Sequence, residues 1–129
     1  GFAFVVTGDD SFTEETHVFT DTGCTTSTYI SKLLRDNVTV GTASGANYPV
    51  TYNDTGFKWT VNTTTAESFL ENLYSSISLD MTVGTEKHVA STINFKYGLW
   101  TPGDTTIYYA TDSSSSTPSE AGSTVHTKE

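Results

Sequence analysis

Between His88 and Gly98 the chain changes character at every second residue. Val89, Ser91, Ile93, Phe95 and Tyr97 alternate with Ala90, Thr92, Asn94 and Lys96. A period of two is that of a pleated strand and cannot be wound onto one face of a helix. The same alternation recurs in Phe57, Trp59 and Val61 against Lys58, Thr60 and Asn62, and in Leu79, Met81 and Val83 against Asp80 and Thr82. Further short apolar segments fall at residues 16–20, 38–40 and 48–52, and residues 105–110 follow the Pro102-Gly103-Asp104 turn. Asn53-Asp54-Thr55-Gly56 is a four-residue turn signal and predicts a hairpin between residues 48–52 and 57–61.

The opening stretch, Gly1-Phe2-Ala3-Phe4-Val5-Val6-Thr7, is apolar without alternation. Such a strand asks for burial on both faces, so it is either central in its own sheet or added to a neighbouring chain's sheet edge. Phe2, Phe4, Val5 and Val6 are therefore the candidate inter-subunit strand.

Two segments predict helices. Over residues 26–36, Tyr29, Ile30, Leu33 and Leu34 fall on one side at helical spacing, with Thr25 or Thr26 as cap and Asn37 as terminator. Over residues 65–77, Thr64-Thr65-Ala66-Glu67 forms a capping box, and Ala66, Phe69, Leu70, Leu73, Tyr74 and Ile77 make an apolar stripe directed at a sheet. From Asp112 onward Ser, Thr, Pro, Gly and Glu dominate, so residues 1–111 predict the globular domain and residues 112–129 a tail or linker. Short connections favour antiparallel pairing. The fold expected is thus α+β, a largely antiparallel sheet with two helices packed on one side. The alternative is an all-β sandwich with one helix, should the first helix fail.

With 129 residues the chain can bury a core, and with Cys24 as its only cysteine it has no internal disulfide to rely on. Fifteen acidic against six basic residues, a formal charge of −9, disfavour nucleic acid and anionic membranes, and no apolar run is long enough to predict membrane insertion. Charged residues make up only 16% of the chain, whereas 26 threonines and 15 serines give it a hydroxyl-rich surface. That chemistry predicts an extracellular protein. The start at Gly1, without an initiator Met, fits a processed mature chain or a numbered fragment.

Motifs that carry chemistry are sparse. Asn37-Val38-Thr39, Asn53-Asp54-Thr55 and Asn62-Thr63-Thr64 are candidate glycosylation sites. Asp9, Asp10, Glu14 and Glu15 lack the spacing of an EF-hand and read as a solvated acidic turn rather than a calcium site. His17, His88 and His126 are too scattered for zinc, and Cys24 reads as an inert residue in a polar turn. No nucleotide-binding or nucleophile motif occurs, so neither catalysis nor a cofactor is expected. Trp100, in a loop, and Tyr108, beside Tyr109 on a strand, are candidate sugar-stacking aromatics. The reading that results is a structural, self-assembling subunit of an extracellular assembly such as a surface filament or virion, a homo-oligomer or polymer. A carbohydrate-binding or adhesion module is the alternative.

Overall fold

The computed structural model of the chain describes residues 1–109, 113, 115–120, 122 and 125–128. Among these residues seven strands run in chain order around a closed barrel: β1 (Phe2–Gly8), β2 (Ser11–Phe19), β3 (Ser27–Val40), β4 (Tyr48–Val61), β5 (Lys87–Pro102), β6 (Thr106–Tyr109) and β7 (Val125–Lys128). Neighbours pair antiparallel, except that β7 closes the ring parallel to β1 at Ala3 and Phe4. Among the described residues there is one α-helix, α1 (Thr64–Leu73), which, followed by a 3-10 turn (Ser75–Ile77), links β4 to β5. The fold is therefore all-β with one helix, which corrects the α+β expectation of two helices.

The first expected helix is strand β3. Tyr29 pairs with Val61 and Leu33 with Phe57, while the intervening positions pair along β2 as well. A spacing of four is common to both periods, since residues four apart also share a face of a strand. Only the three-residue step from Ile30 to Leu33 distinguishes them, and in β3 it carries the chain from one face to the other. With β2 and β4 offering hydrogen bonds on both sides, tertiary pairing overrides local spacing.

The expected hairpin at residues 53–56 is also absent: β4 runs straight through as one strand. The glycine there serves a bulge rather than a turn. Gly56 has φ +137, and a Cβ on it would collide with the Val89 carbonyl oxygen of β5. Across this point the register slips, Leu34 pairing with Gly56 but Arg35 with Asp54, so Thr55 is an extra residue. The slip keeps Phe57, Trp59 and Val61 on the inward face that Val50, Tyr52 and Asp54 occupy upstream. Residues 79–83, read as a strand, form a loop that buries Leu79 and Met81 and holds a single bridge from Thr82 to Thr85.

The interior has two apolar clusters. Phe4, Phe12, Val50, Tyr52 and Ile107 fill one end of the barrel. Trp59, Val61, Ala66, Leu70, Leu79 and Met81 fill the other, where α1 lies against β4. Between them sits a charged layer: the buried Arg35 guanidinium lies 2.9 Å from Asp54 Oδ1 and 3.6 Å from Glu14 Oε2, with its carbon 5.4 Å from the Tyr52 ring centre. Within the segment read as a tail, Ser113 and Val125–Lys128 pair with the barrel. Ser113 exchanges backbone hydrogen bonds with Tyr97, and β7 supplies the closing strand.

Candidate functional site

Helix α1 begins one residue earlier than its sequence suggests. The Thr63 hydroxyl, not that of Thr64, accepts the Ala66 N–H at 3.1 Å. Glu67, expected to complete a capping box, instead accepts the Val83 N–H at 3.2 Å, and Glu71 accepts the Met81 N–H at 2.9 Å. Both carboxylates thus tie the loop after the helix to its side, and that loop drives Leu79 and Met81 into the cluster beside Leu70.

This arrangement rotates the helix relative to the expected stripe. Ala66 and Leu70 point into the cluster, and Tyr74 packs on Trp59 with ring centres 4.6 Å apart. Phe69, Leu73 and Ile77 are instead exposed, at 56%, 59% and 52%. Their packing role is corrected accordingly. The three lie four residues apart, so Phe69 and Leu73 share an outer face of the helix with Ile77 in the turn that follows. A surface helix in an isolated soluble protein carries polar residues there.

A second feature lies on the outer face of the sheet. Ala3, Glu15, Lys32, Lys58 and His88 stand opposite one another in register across five strands. Glu15 is nearly covered. Its carboxylate contacts His17 Nε2 at 2.9 Å, accepts the Thr13 hydroxyl at 3.1 Å and lies 3.6 Å from Lys32 Nζ. Burial alone raises its pKa, but the His17 hydrogen bond, the Lys32 charge and the Thr13 hydroxyl outweigh it and hold the group below the ordinary glutamate range. Glu86 joins the row, 3.4 Å from Lys32 and 3.5 Å from Lys58. The groove beside it, about 300 Å³, is lined by Val5, Thr7, Thr13 and the two lysines. A carboxylate held ionised by three neighbours is a poor proton donor, and Lys32 and Lys58 are already engaged by acids. The arrangement links β2, β3 and β4 to the residue that precedes β5.

Other residues singled out in the sequence are dispersed. Glu14 faces the barrel interior and Glu15 the exterior, so the acidic run from Asp9 to Glu15 does not converge. Among the described residues no group of three or more His, Cys, Asp or Glu is placed to hold a metal ion. Cys24 is exposed at φ +54 in a loop knotted by Asp21. His126 is buried, its ring centre 5.4 Å from that of Phe2. Of the sugar-stacking candidates, Trp100 turns inward with Phe4 and Phe12, at 5.2 Å from each, while Tyr108 is exposed. Asn37 and Asn62 are exposed, the former at a bulge with φ +51; Asn53 lies within β4, half-buried. The candidate inter-subunit strand β1 finds both its neighbours within the chain at Ala3 and Phe4. Phe4 is buried, Val5 half-buried, and Phe2 and Val6 exposed.

The exposed helix face is the feature that sequence reasoning missed. Its residues were identified, but the helical period of 3.6 leaves a six-residue apolar set wide enough to be divided between core and surface. The anchoring of Glu67 and Glu71 to the Val83 and Met81 N–H groups accompanies the packing of Ala66, Leu70 and Tyr74 as the inward half. No protein-family model matches this chain, and no curated protein matches it. Among the described residues, no helix is long and apolar enough to cross a membrane.

Proposed function

We propose that the protein is a non-catalytic building block of an extracellular assembly, and that copies of the chain associate through the outer face of α1. The observation that carries this reading is the exposure of Phe69, Leu73 and Ile77 on a helix whose other face is already packed. Side chains of this size stabilise by roughly 1.5–3 kcal/mol each when covered. Two such helices laid face to face bury the same residues from both partners, as a two-fold interface requires. The hydroxyl-rich surface and the exposed sequons at Asn37 and Asn62 support a location outside the cell. The carbohydrate-binding alternative is weakened because Trp100 packs among Phe4 and Phe12, which leaves Tyr108 as the exposed member of the pair.

Light scattering on the purified full chain tests the reading. The native chain is expected to form dimers or larger species at micromolar concentration, and Leu73→Lys to yield a folded monomer. A native chain that stays monomeric at millimolar concentration rejects the proposal.

A further inference from the structure

At the barrel end remote from α1, the turn between β1 and β2 and the last residues of β3 frame a cavity of about 170 Å³. Its floor is aromatic: Phe4 and Phe12 stack with ring centres 4.6 Å apart, and Trp100 stands nearly perpendicular to both. Val6 and Val40, each more than half exposed, form its walls. Asp9 and Asp10, in the exposed β1–β2 turn, complete the lining at the rim. Among the described residues, neither carboxylate makes an ion pair.

The mouths of β-barrels are common ligand sites, but this cavity is smaller than the roughly 300–1,000 Å³ that holds a drug-sized molecule. It accommodates a single side chain. An apolar slot that ends in two unpaired carboxylates complements a group with an apolar stem and a cationic tip. Lysine is such a group, because its methylenes can lie on apolar surface while the ammonium stays at a polar edge. The formal charge of −9 draws a basic protein towards the acid-rimmed mouth.

We propose that this mouth receives a lysine side chain of a basic partner protein, with the stem on Phe4, Phe12 and Trp100 and the ammonium between Asp9 and Asp10. The proposal is independent of the α1 interface. The test is an NMR titration of the full chain with the peptide acetyl-Gly-Lys-Gly-amide. Parallel titrations use peptides with norleucine or Nε-acetyl-lysine at the central position. The lysine peptide is expected to shift the Trp100 indole N–H and the Asp9 and Asp10 amides saturably, and the two uncharged peptides to bind at least about fivefold more weakly. The double substitution Asp9→Asn, Asp10→Asn should bring the lysine peptide down to the level of the norleucine peptide. Both aspartates are exposed, and an otherwise unchanged spectrum verifies the fold. Equal binding of norleucine and lysine peptides, or no shift of these signals up to tens of millimolar, overturns the proposal. Leu73→Lys should leave the titration unchanged, so failure at this site and failure of the assembly reading are told apart.

Discussion

The two ends of the barrel solve the same problem differently. At one end α1 covers Trp59 and Val61 with Ala66 and Leu70, and in doing so turns Phe69, Leu73 and Ile77 towards solvent. At the other end no helix intervenes among the described residues, and Phe4, Phe12 and Trp100 form the floor of an open mouth rimmed by Asp9 and Asp10. Covering an end therefore does not remove apolar surface; it relocates that surface to the back of the covering element. Both ends keep an exposed apolar feature, one broad and uncharged, one narrow and acid-rimmed. The layer of Glu14, Arg35 and Asp54 separates them and lets each end be perturbed alone.

The largest effect should come from breaking that separation. Arg35→Ala leaves the Glu14 and Asp54 carboxylates facing each other in the interior, and should cost about 3–5 kcal/mol in urea unfolding. A loss below about 1 kcal/mol would mean that water already reaches the layer. Within the covered end, Leu70→Ala should cost about 2–5 kcal/mol. In contrast, Leu73→Ala, measured at a concentration where the chain is monomeric, should stay within about 0.5 kcal/mol. Equal losses at the two positions would show that the outer face of α1 is packed after all.

A smaller effect is expected at the start of the helix. Thr63→Ala removes the acceptor for the Ala66 N–H and should cost about 1 kcal/mol, whereas Thr64→Ala should be close to neutral. The reverse order would restore the capping box read from the sequence. The smallest effect is local. Asp21 accepts hydrogen bonds from the Thr25 N–H, the Thr26 N–H and the Thr25 hydroxyl, which lower its pKa to about 2. Because the folded value lies below the ordinary one, this support is complete above the ordinary aspartate range and is lost as pH falls through about 2. Hydrogen exchange at Thr25 and Thr26 should accelerate over that interval, and Asp21→Asn should remove the pH dependence.

Several of these features were legible in the chain itself. The alternation in residues 89–97 identified β5, the apolar opening identified β1, and the apolar run after Thr63 located the helix between β4 and β5. Local order of this kind needs only the two periods of 2.0 and 3.6 and the turn residues that interrupt them. The same periods could not separate β3 from a helix, because Tyr29 and Leu33 share a face in either. Nor could they show that Gly56 marks a bulge, since the constraint on it is the Val89 carbonyl of another strand.

What the sequence by itself determined is the composition of the surface, the positions of most strands and the presence of one amphipathic helix. The tertiary structure alone decided which side of that helix is core, that residues 125–128 close the barrel, and that Trp100 belongs to its mouth. The physical reason is common to all three. Each depends on a partner distant in the chain, Met81 and Val83 for the helix, Ala3 and Phe4 for the last strand, and Phe4 and Phe12 for the tryptophan. Long-range pairing is set by how strands share their edges and faces, and that information is distributed over the whole barrel rather than written beside the residues it places.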